Sequence, residues 1–335
     1  MNKRKPFLLL GVICLALVLA VSPFLSACAK PAAGPITLKA VGFLPKGATS
    51  VKFLGTYIDM VNERAEGELV IEWVGGPDVI PGFDQGAAVS SGTIDMAGTC
   101  HSYYTSLAPA GFATCILSQF TPMKERENGV FDFIAAENEK INIHFLGRLE
   151  TNRSFHIGLK EAVERPQDLA GRKIRTMALY DYFLNALGAV PVTVAHPEVY
   201  SALERGVVEG YAYPFSDAVE LSLYEVCGYF IDHTFYEAGN VIAIMNLDKW
   251  NSLPKKLQNL MTDAMKDMEP QMYDMYGEAK VANKQVMIDN GMVPIKFSDA
   301  DAKYYRDLAY SSFRKGIKEL VTPEAYAKII ELTGE

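Results

Sequence analysis

One arginine occupies a position from which it could grip an anionic ligand. The run Lys173-Ile174-Arg175 has the alternation of a short strand, and Arg175 lies at its carboxyl end. In open α/β sheets, ligands bind outside the carboxyl ends of the strands. A guanidinium at that place can hold a carboxylate through two parallel charge-assisted hydrogen bonds. Taken alone, the same spacing is also typical of a surface arginine that pairs with a nearby Asp or Glu.

The sequence lacks the motifs that position catalytic groups, phosphates or metals. It contains no GxSxG nucleophile elbow, no HExxH zinc motif, no GxxxxGK[ST] loop and no GxGxxG turn. Its five histidines are scattered without the spacing of metal ligands. Asp299 and Asp301 follow Ser298, where they suit the cap and dipole of a helix better than a metal. We therefore predict a protein with no catalytic residue, no metal and no cofactor.

The composition is that of a folded protein with two domains. The 335 residues are 49% hydrophobic and 21% charged, which excludes a disordered or fibrous chain. A chain of about 300 residues is long enough for two domains of about 150 residues each. With 32 basic against 40 acidic side chains, the formal net charge of −8 argues against a nucleic-acid partner. One arginine in a cleft can still bind a small anion.

The amino-terminal segment has the organisation of an export signal. A short basic region precedes an apolar run from Phe7 to Val21, which is too short to span a membrane. The run is followed by Leu25-Ser26-Ala27-Cys28, which is similar to a bacterial lipobox. We predict a signal peptide over 1–27 and a lipidated tether over 28–35, so that the exported protein is anchored to the membrane through Cys28. The alternative is a plain signal peptide cleaved after an alanine.

Three cysteines follow the tether, namely Cys100, Cys115 and Cys227, and none belongs to a CxxC pair. An odd number without that spacing predicts neither a disulfide framework nor a zinc site. A Cys100–Cys115 bridge and buried free thiols are both open at this point.

Short apolar strands alternate with helical stretches, which predicts an α/β protein with mixed sheets. One long helix is predicted from Pro254 to about Asn290, with a kink at Pro270. A leucine and five methionines lie on one face of this helix, which we interpret as a core stripe of a brace between two domains. The stripe comprises Leu257, Met261, Met265, Met268, Met272 and Met275. The predicted strands are 36–43, 69–74, 94–97, 154–159, 173–176, 190–194, 210–213, 241–245 and 293–297.

Three linked segments carry a recognisable pattern: Asp168-Leu-Ala-Gly-Arg-Lys-Ile-Arg175, Leu187-Gly-Ala-Val-Pro-Val192 and Glu198 to Gly210. In this order they resemble the solute-binding proteins of tripartite ATP-independent periplasmic (TRAP) transporters, the dicarboxylate-binding-protein-like family. Glu209 stands where that family usually has Asp. Residues 91–96 and 246–254 are similar too, and the resemblance extends from residue 36 to about residue 332.

The resemblance implies a two-domain periplasmic-binding-protein (flytrap) fold with mixed sheets, hinge strands and a long kinked brace helix. On this basis domain I comprises 36–150 plus 240–280, and domain II comprises 151–239 plus 281–335. Such proteins are not enzymes; they capture a small organic acid outside the cytoplasm, in the periplasm, and deliver it to the permease subunits in the membrane. The alternatives are a binding lipoprotein of an ATP-driven (ABC) uptake system, an exported hydrolase using an Asp–His pair, and a structural envelope lipoprotein without a ligand.

The resemblance also implies a set of ligand-binding residues. Arg175 is expected to clamp the ligand carboxylate, and either Arg153 or Arg148 to assist it. Tyr213 stands where the family commonly has Asn, and His196 where a Phe often stacks on the ligand. Further expected wall residues follow the first and third strands, namely Phe43, Thr99, His101 and Tyr104.

The expected walls of the site are aromatic. Tyr211 and Tyr213 lie two residues apart on a strand and therefore face the same side. Aromatic walls around one arginine suit a flat or apolar monocarboxylate better than a polyhydroxylated sugar acid. Ordinary core packing is the alternative for each aromatic side chain, and His196 could instead cap the helix start near Pro197.

Overall fold

The computed structural model describes residues 34–239 and 241–334. The predicted signal peptide and the lipobox residue Cys28 lie outside the described residues. Within them, the chain forms twelve strands: β1 (Ile36–Gly42), β2 (Leu69–Gly75), β3 (Met96–Cys100), β4 (Ile143–Arg148), β5 (Arg153–Leu159), β6 (Lys173–Thr176), β7 (Val190–Thr193), β8 (Gly210–Pro214), β9 (Tyr229–Ile231), β10 (Tyr236–Ala238), β11 (Val241–Asn246) and β12 (Val293–Ile295).

Twelve α-helices lie in the same part of the chain, and short 3₁₀ turns such as Thr49–Val51 join some of them to strands. The helices are α1 (Lys52–Arg64), α2 (Gln85–Ser90), α3 (Pro109–Leu117), α4 (Pro122–Asn128), α5 (Val130–Glu139), α6 (Ala178–Ala186), α7 (Val199–Glu204), α8 (Phe215–Glu220), α9 (Leu247–Ser252), α10 (Lys255–Asp289), α11 (Asp299–Leu320) and α12 (Pro323–Thr333).

The strands form two mixed sheets, which define two lobes of the molecule. The first lobe is built on the order β2-β1-β3-β11-β4, with β1 parallel to β3 and β11 antiparallel to both of its neighbours. The second lobe is built on the order β12-β9-β5-β8-β6-β7, with β10 paired to β5. Here β6 is parallel to β7 and β8, whereas β5 is antiparallel to β8. The predicted α/β class with mixed sheets is confirmed.

The chain passes between the two sheets at three places. β4 leads to β5 through four residues, 149–152, and β10 in the second lobe ends at Ala238, shortly before β11 of the first lobe begins at Val241. The third crossing is made by α10, which follows the first-lobe helix α9 and precedes the second-lobe strand β12. The two short crossings lie where a hinge between lobes would be placed.

The long helix α10 contacts both lobes. It packs against α1, α4 and β4 of the first lobe and against β5 and α8 of the second. The helix runs through Pro270 without interruption. Its stripe residues from Leu257 to Met272 are buried, and only Met275 at the end of the stripe is half-buried. The interpretation of this stripe as core, and of the helix as a brace, is confirmed.

Three strands have no counterpart in the sequence prediction. β4 carries a histidine, a glycine and an arginine within six residues, so its apolar alternation is broken. β9 and β10 have only three residues each, which is too short for a periodic pattern. The nine predicted strands are all present, with shifts of up to three residues at their ends.

The structure also decides the predictions for the cysteines and for the helix start at Ser298. Cys100, Cys115 and Cys227 are buried free thiols, so the alternative of a Cys100–Cys115 bridge is wrong. Ser298 caps α11 by accepting a hydrogen bond from the backbone N–H of Asp301, as predicted from the sequence.

One helix of the first half of the chain, α3, contributes to the core of the second lobe. Its Phe112 packs on Phe313 of α11 at a ring-centroid distance of 5.5 Å.

Close approach of β5 to β8 depends on a glycine. A Cβ on Gly158 would overlap the ring of Tyr211, which lies across the antiparallel pair in register with it. We expect Gly158→Ala to destabilise the protein by about 1–3 kcal/mol, as overpacking does in a core. Gly228→Ala is the matched control, since its Cβ would meet only the Lys160 carbonyl oxygen at 3.7 Å. Urea unfolding should separate the two; equal midpoints would show that β5 and β8 have room to move apart.

Candidate functional site

Two adjacent strands of the second lobe bring an arginine and a tyrosine together. β6 is parallel to β8, with Arg175 in register with Tyr211, so both strands end at the same edge of the sheet. Tyr213 lies two residues beyond Tyr211 on the same face, and the two rings are 6.3 Å apart between centroids. The Arg175 guanidinium lies over the Tyr213 ring, with 3.8 Å from Cζ to the ring centroid. Such stacking fixes the plane of the guanidinium.

Arg175 is buried and has no anionic partner within the described residues. Only 1% of its surface is exposed. Its Nε donates to the Val194 carbonyl oxygen at 3.1 Å and its Nη1 to the Ala212 carbonyl oxygen at 3.4 Å. A guanidinium has five N–H donors, so several remain for a ligand. Because a buried charge without a counter-charge is unfavourable, an anion placed here would be held strongly.

A small cavity lies between the lobes at this point; we call it the inner cavity. Its volume is about 50 Å³, and Arg175, Arg153, Tyr213, His196 and Phe43 are among its lining residues. The structure thus brings together five of the residues predicted from the sequence. Its other walls include residues that the sequence reasoning missed, namely Ser50, Cys100, Tyr103, Glu150, Met177, Tyr180 and Asp217.

Arg153 is neutralised by the chain itself. Its Nη1 bonds Glu150 and the Ser50 hydroxyl, and its Nη2 bonds Asp217 and the Ser216 hydroxyl. Burial alone would lower the pKa of Arg153, but the carboxylates of Asp217 and Glu150 outweigh it and hold that pKa above its ordinary value. Burial raises the pKa of Glu150, although Arg153 opposes this. The cavity therefore contains two arginines in different states, one with two carboxylates and one with none.

His196 connects Tyr213 to a contact between the lobes. Its Nδ1 lies 3.2 Å from the Tyr213 hydroxyl, and its Nε2 lies 3.6 Å from Oε1 of Glu220. Glu220 also accepts a hydrogen bond of 2.8 Å from the backbone N–H of Thr49 in the first lobe. The 3₁₀ turn that begins at His196 has no side-chain cap. The histidine therefore orients the cavity tyrosine rather than its own helix start.

Four predicted site residues lie away from the inner cavity. Arg148 forms two hydrogen bonds with Glu125, of 3.0 and 2.9 Å, and a third with the Gly239 carbonyl oxygen. His101 is enclosed by Asn138 and Cys115, and burial lowers its pKa to about 3. The structure thus places Arg148 and His101 outside the wall of the inner cavity, with partners for their polar atoms elsewhere in the protein.

The other two of these four, Thr99 and Tyr104, are buried away from the inner cavity. β3 runs to Cys100, three residues further than predicted, so Thr99 lies within the strand instead of in the loop after it. Side chains alternate along a strand, and it is Cys100 that reaches the cavity. Tyr104 is buried, and its hydroxyl donates to Asn138 at 3.3 Å. The neighbouring Tyr103 takes the place in the cavity wall.

A second, larger cavity adjoins the first; we call it the outer cavity. Its volume is about 700 Å³. The two cavities have five lining residues in common, namely Phe43, Leu44, Tyr103, Met177 and His196. The rest of its wall comes from the end of β2, from the segments after β1 and β2 and from the residues before α7, namely Pro45, Lys46, Val74, Gly75, Gly76, Pro77, Asp78, Pro81, Gly82, Phe83, Ala195 and Pro197.

A buried arginine between two sheet-based lobes is the arrangement that the sequence resemblance led us to expect. Residues 41–319 match the model of the DctP family, described as bacterial extracellular solute-binding protein, family 7. The chain belongs to this family. The resemblance drawn from the three linked segments is thereby confirmed, and the comparisons do not support the ATP-driven alternative.

Individual DctP-family relatives are distant in sequence and close in fold. A monocarboxylate 2-oxoacid-binding periplasmic protein of Nostoc sp. is 25% identical over 239 residues, covering 67% of this chain and 65% of that protein. A 2,3-diketo-L-gulonate-binding periplasmic protein of Escherichia coli is 25% identical over 264 residues, covering 74% and 77%. The structure of a TRAP periplasmic solute-binding protein from Desulfovibrio salexigens with bound orotic acid has a TM-score of 0.79 at 18% identity, covering 89% and 97% of the two chains. The two-domain binding-protein fold is confirmed.

No helix among the described residues has the length and apolar character needed to cross a membrane. No group of three or more His, Cys, Asp or Glu side chains in the same ranges could hold a metal ion.

The state of Arg153 leads to a stability prediction. We expect Arg153→Met to destabilise the protein by about 3–5 kcal/mol, because it leaves buried carboxylates without their cation. The triple variant Arg153→Met, Glu150→Gln, Asp217→Asn should recover most of this loss, since it removes the charges together. Urea unfolding followed by tryptophan fluorescence measures both. A single variant as stable as the wild type would show that the carboxylates do not depend on Arg153.

The contact between Glu220 and Thr49 leads to a prediction about pH. Partial burial by itself would raise the pKa of Glu220, but hydrogen bonds from His196 and Thr49 outweigh it and lower that pKa to about 2. A carboxyl whose folded pKa is depressed stabilises the fold above its unfolded pKa, and this stability is lost as the pH falls. We therefore expect Glu220→Gln to lower the melting temperature at pH 7, with a difference from wild type that shrinks below about pH 4.5.

The matched control for this titration is Glu204→Gln, an exposed glutamate on the neighbouring helix α7. It should leave the melting temperature unchanged across the same range. A Glu220→Gln deficit that stays constant from pH 7 to pH 3 would mean that the carboxylate charge is not what joins the two segments.

Proposed function

We propose that this protein captures an organic acid in the inner cavity and delivers it to the membrane permease of a TRAP transporter. Arg175 grips the ligand carboxylate, and the single observation that carries this assignment is its burial without an anionic partner among the described residues. A carboxylate accepts two parallel hydrogen bonds from one guanidinium, which would neutralise the charge and saturate the free donors. The ring of Tyr213 beneath the guanidinium holds it in the plane that such pairing needs.

The ligands named for relatives support an organic acid. The Nostoc relative is named for monocarboxylate 2-oxoacids, and the E. coli relative for 2,3-diketo-L-gulonate. The D. salexigens structure contains orotic acid. These ligands differ in size and polarity but share a carboxyl group, which is the one group that Arg175 would recognise in each.

We further propose that binding closes the two lobes over the ligand. In this proposal the lobes correspond to domain I (36–150 plus 240–280) and domain II (151–239 plus 281–335), except that helix α3 packs in the second lobe, and the hinge lies at 149–152 and at Gly239. Arg153 is the assisting arginine, since it lines the cavity and Arg148 does not. Its bonds to Ser50 and Asp217 connect the lobes on the cavity wall.

The proposed role is binding without turnover of the ligand. The protein acts outside the cytoplasm, in keeping with the periplasmic relatives, and Cys28 carries the lipid that anchors it to the membrane. Metabolic labelling with a clickable palmitate analogue tests the anchor: label should enter the wild type and not Cys28→Ser. Equal labelling of both would remove the lipid from the proposal.

A panel of acids tests the proposed function directly. Ligand-free protein is heated with aromatic, keto, hydroxy, dicarboxylic and sugar acids, because a ligand at 100 times its Kd stabilises a protein by about 2.7 kcal/mol. A rise in melting temperature with one class would establish binding and its chemistry. No rise with any acid would overturn the assignment of Arg175 as a carboxylate clamp.

The same panel allows a test of the anchor residue. We expect Arg175→Gln to weaken binding of the best acid by about 2–5 kcal/mol, at least thirtyfold in Kd, because a buried charge-assisted pair is lost. The urea midpoint should not fall, since no described carboxylate loses a partner. Arg205→Gln is the control, because the side chain of Arg205 donates its hydrogen bonds to Ser201, four residues earlier, and lines neither cavity. Calorimetry that finds equal Kd values for the two variants would contradict the assignment.

A further inference from the structure

The inner cavity is much smaller than the space beside it. Its volume is about 50 Å³, against about 700 Å³ for the outer cavity. A carboxylate head fits the inner cavity beside Arg175, and a longer acid would extend from there into the adjoining space. The walls of the outer cavity therefore decide which groups the ligand can carry beyond its carboxylate.

The adjoining space is the outer cavity, and Phe43, Tyr103, Met177 and His196 line both cavities. Its volume of about 700 Å³ lies within the range of about 300–1,000 Å³ that is typical of small-molecule sites. A ligand whose head lies at Arg175 would thus extend past the Phe43–Tyr103 pair towards solvent.

The walls of the outer cavity are apolar along this path. Phe43 meets Tyr103 edge to face at 5.3 Å between centroids, and Tyr103 stacks on Phe83 at 4.4 Å. Phe83 and Val74 are 52% and 39% exposed, so both offer apolar surface to a ligand in the outer cavity. The three aromatic rings form a continuous surface from the inner cavity to the mouth.

Three charged or polar side chains of this wall, Lys46, Asp78 and His196, have partners within the protein. Lys46 donates its Nζ to the Trp73 carbonyl oxygen at 2.5 Å, and Asp78 accepts from the Gly76 N–H at 2.9 Å. The two ring nitrogens of His196 face Tyr213 and Glu220. Hydroxyl groups of a sugar acid in this space would exchange water for apolar contacts, which is unfavourable.

We propose that the outer cavity is a subsite for an apolar tail, so that the ligand is an amphipathic monocarboxylate. This inference rests on the proposed function, because it needs the carboxylate head at Arg175. The tail, an alkyl or aryl chain, packs on Phe43, Tyr103 and Phe83 while the head is buried between the lobes. Short acids reach only Arg175, and long ones gain the additional apolar surface.

A chain-length series tests this proposal. Full-length protein, freed of carried ligand by unfolding and refolding, is titrated calorimetrically with straight-chain acids from acetate to octanoate, with 4-phenylbutyrate and with gluconate. We expect the affinity to rise about fourfold per methylene, the equivalent of about 0.8 kcal/mol for each buried CH₂, until the subsite is filled. 4-Phenylbutyrate should follow octanoate, and gluconate should bind no better than acetate.

Substitutions in the outer cavity test the contacts of the tail separately from the contact of the carboxylate with Arg175. Phe83→Asn and Val74→Asn should each weaken octanoate about tenfold or more and leave propionate unchanged, since propionate does not reach them. Val281→Asn is the matched control: Val281 is 75% exposed on α10 and lies outside both cavities. It should bind all acids as the wild type does.

The outcomes distinguish the tail subsite from the proposed function. Affinity that is flat or falls with chain length, while short acids still bind through Arg175, would overturn the tail subsite and leave the carboxylate clamp. Gluconate binding more tightly than octanoate would do the same. If the wild type binds no acid of any length, both the proposed function and this inference are wrong.

Discussion

The uncompensated charge of Arg175 is the constraint on which the site depends. The side chain is 1% exposed and donates to two carbonyl oxygens, so its charge is desolvated while none of the described carboxylates pairs with it. Such a state is unfavourable unless the surrounding structure fixes it, and here the parallel pairing of β6 with β8 does so. Tyr213 below and the carbonyls beside it orient the guanidinium before any ligand arrives. The free-energy cost of desolvating and orienting the Arg175 guanidinium therefore arises during folding. Less of that cost then opposes the binding of a ligand.

Arg153 lines the same cavity, but its charge is compensated by carboxylates, unlike that of Arg175. It is as buried as Arg175, but Glu150 and Asp217 neutralise it and serines satisfy further donors. The carboxylates come from the inter-lobe crossing and from α8, and Ser50 comes from the first lobe. This arginine therefore holds elements together, whereas Arg175 is left open. The difference lies in the partners that the fold supplies, since the residue type and the burial are the same.

The sequence predicted most of this fold, and the errors have local physical causes. The strand at 173–176, the capped helix at Ser298 and the long brace helix all carry strong local signals, and each was placed correctly. Thr99 was misplaced because β3 is longer than its apolar run, and a strand that continues points successive side chains to opposite faces. Arg148 could not be separated from Arg153 by spacing, since its partner Glu125 lies 23 residues upstream on helix α4. Tyr103 and Tyr180 follow strand ends, which was a usable signal for the wall residues that were missed.

In the proposed function, the two cavities divide recognition into two parts with different physics. At Arg175 the proposed interaction is directional and electrostatic, and it would distinguish a carboxylate from neutral solutes whatever group the carboxyl carbon bears. In the outer cavity the interaction is apolar and non-directional, so it grows with buried area and is sensitive to size and polarity. A receptor built in this way can keep the β6–β8 clamp unchanged while the segments after β1 and β2 change the tail it accepts. Loops vary more readily than paired strands, which is consistent with one fold serving acids as different as orotate and 2-oxoacids in the relatives.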